Sequence, residues 1–390
     1  MKASETNWSR RTLLRRGVAA VAAGAMARHA GGFLARAAEP RPDPAMTPGV
    51  PRGKGPLAGD AADARTADLL RELITRRAVD STEPWLEAHV ILALGANAQH
   101  FGRPMIDDMV SSSVVLTTIS GRTYPHFDLQ LERHPFHFLQ IMQLTDVPGD
   151  RAFTTPRGRF TRRELVAGSE AVFDPTTHSD EYSWTISVLT HEFPPDRDRF
   201  TTARGARVVV ADLVEDHLKD TELAYAATFA SMDENKPYGR GLIHTKACNG
   251  AHLIYGLVDA VRYGYTGHDL RKRFARLVEA TLFRIGLEQR LVEATLKGPD
   301  PMVRLNADAV KLNFLGHVVE DMGYAIHVGA LSPTESQLKV LATARRQLGA
   351  VVERIVSEHD LDVLRVNVPN AYSLVLGDSC HAMRGMSYWT

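Results

Sequence analysis

The chain of 390 residues carries 46 Lys+Arg against 46 Asp+Glu, a formal net charge of zero, with 44% hydrophobic and 24% charged residues. That balance excludes a bulk nucleic-acid binder, which needs a basic stripe to neutralise phosphates, and it excludes a disordered or collagen-like chain. Two cysteines exclude a disulfide-rich scaffold, and the length suffices for one large core or two smaller ones.

At the N-terminus, Ser9-Arg10-Arg11-Thr12-Leu13-Leu14-Arg15-Arg16 precedes a weakly apolar, Ala-rich run and then Ala35-Arg36-Ala37, a small-x-small cleavage pattern. The run is too short and too interrupted to span a bilayer, so no permanent membrane anchor is expected. The segment resembles a bacterial twin-arginine export signal, on the strength of its Ser-Arg-Arg-x-Leu-Leu core; the alternative is a basic amphipathic helix. The resemblance implies that residues 1–37 engage the twin-arginine export machinery and that the mature chain is periplasmic or secreted. It also implies export in the folded state, often with a metal or cofactor already in place. Residues 1–37 hold seven basic residues and one acid, which leaves 39 basic against 45 acidic residues, a net charge of −6. Residues 38–65 contain Pro40, Pro42, Pro44, Pro48, Pro51 and Pro56 and read as an extended linker, with the folded part expected from Thr66.

From Thr66 the apolar spacing is helical, as in Ala67-Asp68-Leu69-Leu70-Arg71-Glu72-Leu73-Ile74. Residues 270–296 and 335–355 are long, amphipathic and rich in Ala, Leu, Arg and Glu. Val114-Val115-Leu116 and Val208-Val209-Val210 are short β-branched runs; the second is read as a turn into a helix, in parallel with the stretch from Phe160 to Val166. Six apolar segments each carry a histidine, namely His89, His137, His191, His252, His317 and His381, at steps of 48, 54, 61, 65 and 64 residues. Such a step suits one antiparallel helix pair with its loops. The expected fold class is therefore all-α, six helix pairs either closed into a ring or stacked as an open solenoid.

The sharpest local pattern is His244-x-x-x-Cys248-x-x-x-His252. On a continuous helix, residues four apart share a face, and His with Cys can share a borderline metal ion. All three cannot, because eight residues put roughly 12 Å of helix rise between His244 and His252. Cys248 and His252 are the preferred ligand pair, since they lie deeper in the apolar segment that continues to Leu257. His317 and His381, the latter beside Cys380, are expected to complete the set around a transition metal such as zinc. Two other readings stay open: a Cys248–Cys380 disulfide, and histidines that are simply hydrogen-bonded core residues.

The six-pair layout resembles the α/α-toroid enzymes, which include terpenoid cyclases, protein prenyltransferases, lanthionine cyclases and several polysaccharide lyases. Glu181-Tyr182-Ser183-Trp184-Thr185-Ile186 and Cys248-Asn249-Gly250-Ala251-His252 are similar to segments of bacterial toroid-like proteins. The resemblance covers most of residues 66–390 as a pattern and implies an α/α toroid without naming a substrate. Lanthionine cyclases hold zinc with a Cys and a later Cys-His-Gly; here Cys248 and Cys380-His381 stand in that order, but Ala382 replaces the Gly. Prenyltransferases use Asp-x-Cys and a later His; Cys248 and His317 match, while Lys246 replaces the Asp.

A second constellation is acidic. His191 and Glu192 are the expected catalytic acid/base pair of a metal-free reading, a polysaccharide lyase or glycoside hydrolase, supported by Glu320-Asp321, Asp259 and Asp378. The arginines of residues 147–163 and 194–207 would form a basic mouth if both loops share a rim. No phosphate-cradling Gly loop, Gly-x-Ser-x-Gly elbow or His-Glu-x-x-His motif is present. Three functions follow as expectations: an exported toroid enzyme with a metal-assisted centre acting on a small molecule or polysaccharide, the metal-free lyase or hydrolase, and a non-catalytic metal- or ligand-binding protein.

Overall fold

The computed structural model describes residues 57–176, 182–298 and 300–390. The export-signal expectation for residues 1–37 lies outside the described residues, as does most of the expected linker. The first helix among the described residues, α1 (Ala61–Arg77), starts five residues ahead of Thr66. Asp60 is the reason: its carboxylate accepts from the N–H groups of Ala62 and Asp63, and Asp63 reaches back to the Asp60 N–H. Residues 61–65 of the expected linker are therefore helical.

The chain continues through α2 (Pro84–Leu94), strands β1 (Gln99–His100) and β2 (Arg103–Pro104), α3 (Met105–Ser113), β3 (Val114–Ile119), β4 (Arg122–Phe127), the single turn α4 (Leu129–Glu132) and α5 (His137–Leu144). Then come β5 (Ala152–Thr155), β6 (Gly158–Thr161), α6 (Arg162–Val172), α7 (Tyr182–Glu192), β7 (Arg199–Thr201), β8 (Arg207–Val209) and α8 (Val210–Glu234). The rest is helical: α9 (Leu253–Arg262), α10 (Leu270–Thr295), α11 (Pro301–His327), α12 (Glu335–Glu358), α13 (Leu361–Asn367) and α14 (Pro369–Ser387). The all-α expectation holds in its main part. The strands form four separate antiparallel pairs, each a local hairpin. Three of them, β1–β2, β5–β6 and β7–β8, lead straight into a helix. Val208 and Val209 thus belong to a strand and Val210 opens the helix.

Two kinds of helix alternate. In α1 the buried residues Asp63, Thr66, Ala67, Leu70, Leu73 and Ile74 recur at helical spacing on one face, so the helix is amphipathic. By contrast all eight residues of α5 and Tyr182–Thr190 of α7 are buried. α2, α5, α7, α9, α11 and α14 are the buried set; each packs on the next, and α14 packs back on α2. Backbones meet closely at glycines: a Cβ on Gly256 of α9 would lie 2.6 Å from the Ser183 carbonyl oxygen of α7. No helix among the described residues is long and apolar enough to cross a membrane.

Candidate metal centre

One aromatic ring from each buried helix meets its neighbours in a closed circuit. His89 lies 5.2 Å from His137, His137 5.9 Å from Trp184, and Trp184 4.9 Å from His252, centroid to centroid. His252 then lies 4.4 Å from His317, His317 4.1 Å from His381, and His381 4.9 Å from His89. The expected histidine per unit is thus found in five of six. In α7 the position belongs to Trp184, whose other face stacks on His134 at 3.8 Å. His191 is seven residues farther along, about 10 Å up the helix axis.

Within the circuit, one ligand atom each from Cys248, His252 and His317 lies within 4.8 Å of the others. The expected Cys248/His252 pairing is met, but by a different route. The segment is not one helix: two short 3-10 turns, Leu242–Thr245 and Ala247–Gly250, precede α9, with His252 at the helix cap. Cys248, Asn249 and Gly250 all have left-handed backbone, with φ of 48°, 54° and 76°. Asn and Gly tolerate that region, and a cysteine there carries local strain of the kind found at functional sites. Gly250 is pressed into place, since a Cβ would meet Ile243 Cγ1 at 2.4 Å.

The turn is braced from below. Fully buried Arg284 donates from Nη2 to the Asn249 carbonyl at 3.0 Å and to Glu288 at 2.7 Å. His244, the first member of the sequence pattern, serves this brace rather than a metal: its Nε2 meets Glu288 at 3.1 Å. From above, Asn249 Nδ2 donates to Asn313 Oδ1 at 3.1 Å, and Asn313 Nδ2 donates to Asp378 at 2.9 Å.

The histidines are held in defined tautomers. Nδ1–H of His89 donates to the Trp85 carbonyl at 2.6 Å, that of His317 to Asn313 at 2.6 Å, and that of His137 to Glu132 at 3.2 Å. A carbonyl only accepts, so Nδ1 carries the proton and Nε2 keeps its lone pair. His252 Nε2 stands 3.0 Å from His317 Nε2 and donates to it. Burial first, and then neighbouring imidazoles, pushes His252 and His89 well below the usual histidine range, so both rings are neutral. His381 Nδ1 is 2.5 Å from Glu320 Oε2. Burial raises the Glu320 carboxyl to about 8 against the opposing charges of His317 and Arg384, so the pair shares one proton. His381 touches the circuit but is not one of the three converging donors; Cys380 is buried in the core, and no disulfide joins it to Cys248.

The donor set suits a metal by its chemistry. Thiolate and neutral imidazole are zinc-class ligands, and tetrahedral bonds of 2.0–2.3 Å separate donor atoms by about 3.3–3.6 Å. The carbonyl behind His317 is the usual outer partner of a ligating imidazole.

About two turns beyond the circuit lies a polar layer, of which the sequence offered Asp259 but not Ser187 or Arg262. Asp259 accepts from the Ser187 hydroxyl and from Tyr324 Oη at 2.5 Å, and Arg262 donates to Tyr324 Oη at 3.0 Å. Tyr255 stacks on Tyr324 at 4.8 Å. His191 and Glu192 contact each other at 3.1 Å at the end of α7, with Arg162 3.8 Å from Glu192. The loop arginines are in part compensated: Arg151 pairs with Asp107 at 2.9 Å and Arg199 with Asp198 at 3.4 Å. Comparison with family models, curated proteins and solved structures finds no match to this chain.

Proposed function

We propose that the chain is an exported α/α-toroid enzyme in which six buried helices surround a metal centre held by Cys248, His252 and His317, with His381 alongside. The observation that carries this reading is the convergence of a thiol and two neutral imidazoles from separate segments within 4.8 Å. The return of α14 onto α2 supports the closed arrangement. A zinc-class ion would supply Lewis acidity toward a polar substrate bond. The chain's own groups do the rest. Asn313 orients His317, and Arg284 fixes the turn that presents Cys248. Trp184 walls the chamber, while His381 and Glu320 share a proton at Nδ1 and Oε2 that can be passed to or from a substrate.

Purified protein is expected to hold one transition-metal ion per chain by mass spectrometry. Its cobalt-substituted form should show a thiolate charge-transfer band that Cys248→Ser abolishes, and His317→Ala should lose the ion. Metal-free protein that takes up no cobalt would refute the reading. The His381–Glu320 contact favours a second reading, metal-free acid/base chemistry on a polysaccharide with His381 positioned by Glu320. Turnover that survives chelation and is lost in Glu320→Gln would select it.

A further inference from the structure

A cavity of about 390 Å³ opens at the C-terminal ends of four buried helices, lined by Leu144 of α5, His327 of α11, Arg384 of α14 and Tyr388, with Asp146 at its rim. That volume falls within the range of small-molecule pockets. Arg384 dominates its chemistry. The side chain is partly buried, donates Nε–H to Tyr388 Oη at 3.0 Å, and donates Nη2–H to the Leu144 carbonyl at 2.8 Å. Three of its five N–H groups remain. No carboxylate among the described residues lies within 4 Å of it: Asp146 makes no such pair, and Glu320 pairs with His381 instead. The free N–H groups of Arg384 are not sealed in the core, so a guanidinium without a carboxylate partner is open to an anion from solvent. The helix C-termini around the cavity carry only partial negative charge, felt within the last turn, and do not replace one.

We propose that this cavity is a binding site for a small organic carboxylate, held end-on by the remaining Nη1–H and Nη2–H groups of Arg384. Tyr388 Oη accepts from Arg384 Nε and so holds the guanidinium in place to face the ligand. His327, whose ring lies 5.3 Å from that of Tyr388, closes the side of the pocket. A planar carboxylate matches the guanidinium fork, and a single negative charge neutralises it. Arg384 stands three residues beyond His381 on the same helix, but the cavity lining includes no ring of the circuit. The site does not require the metal reading.

The test is calorimetric titration of the full chain with acetate and with acetamide, which has the same shape and no charge, at fixed ionic strength. Acetate is expected to bind saturably and acetamide at least tenfold more weakly. Arg384→Gln should abolish acetate binding, and Tyr388→Phe, which keeps the ring, should weaken it about tenfold. Cys248→Ser should leave it unchanged. Equal binding of acetate and acetamide, or unchanged affinity in Tyr388→Phe and Arg384→Gln, overturns the proposal. So does acetate binding that disappears in Cys248→Ser but persists in Arg384→Gln, because the anion would then sit on the metal.

Discussion

Glu288→Gln removes the charge on which the Cys248 turn rests. Glu288 is buried, at 7% exposure, and accepts from Tyr238 Oη at 2.5 Å, Arg284 Nη2 at 2.7 Å and His244 Nε2 at 3.1 Å. Burial works against its charged form. The His244 hydrogen bond and the Arg284 charge, with help from Tyr238, outweigh burial and hold the carboxyl at about 2, against an ordinary 4.5. At about 1.4 kcal/mol per pH unit, that depression corresponds to about 3 kcal/mol of stability at neutral pH. Breaking one partner out of a buried ion pair costs about 3–5 kcal/mol by a separate route, so the two figures agree. The folded pKa lies below the unfolded one. The contribution is therefore fully present above the unfolded value and is lost as pH falls toward the folded one, with about 2 kcal/mol gone by pH 3. Urea unfolding at pH 7 and pH 3 measures both quantities. Wild type should exceed Glu288→Gln by about 3 kcal/mol at pH 7 and by much less at pH 3. A variant within about 1 kcal/mol of wild type at pH 7, or one with the same acid loss, refutes the reasoning.

Three further perturbations test the packing around the site. Gly256→Ala places a methyl 2.6 Å from the Ser183 carbonyl and should cost about 1–3 kcal/mol in urea unfolding with little change in m. Asp60→Ala removes the cap of α1 and should cost about 1 kcal/mol; no loss would mean that the helix does not start there. Asp321 has both carboxyl oxygens buried without a hydrogen-bond partner, and burial, then the Glu320 charge, raises its pKa well above the usual range. Its neutral form is the native one, so wild-type stability should fall as pH rises above the unfolded carboxylate range. Asp321→Leu should flatten that slope and gain about 1–3 kcal/mol at pH 7; a loss would show that the carboxyl has a partner.

The buried helices were legible because they are apolar on all sides, as in His137–Leu144, and their repeat was legible because a histidine marks nearly every one. The exception shows the limit. His191 and Trp184 lie on the same helix, and spacing cannot say which of two positions seven residues apart reaches the common layer. The hairpins did leave a signal, since Thr154-Thr155-Pro156-Arg157-Gly158 and Thr201-Thr202-Ala203-Arg204-Gly205 repeat one turn pattern, with Gly158 and Gly205 at positive φ. Cys248 and His252 were paired on helical spacing, yet a left-handed turn is what joins them. Asn249-Gly250 was the local sign of that turn. The tautomers depend partly on carbonyls four residues back, Trp85 for His89 and Asn313 for His317. That relation is local, but it becomes meaningful only once Nε2 is known to face other rings.

That inward arrangement allows a test that tells a ligand-binding site from a packed core. Among the described residues no protein donor reaches Nε2 of His89 or His137, whose Nδ1 bonds fix them as acceptors. Both residues are almost fully buried, at 3% and 2% exposure. An acceptor with no protein donor that still keeps some accessible surface costs less than a sealed one, about 1 kcal/mol or less, which a leucine of similar volume would avoid. His89→Leu is therefore expected to stabilise the chelated protein by up to about 1 kcal/mol while weakening metal uptake if the proposed centre is real. Thermal and urea unfolding of the chelated forms decide the matter. Destabilisation of His89→Leu in the absence of metal would show that the ring is already satisfied within the protein, and the case for a ligand-binding chamber would fall with it.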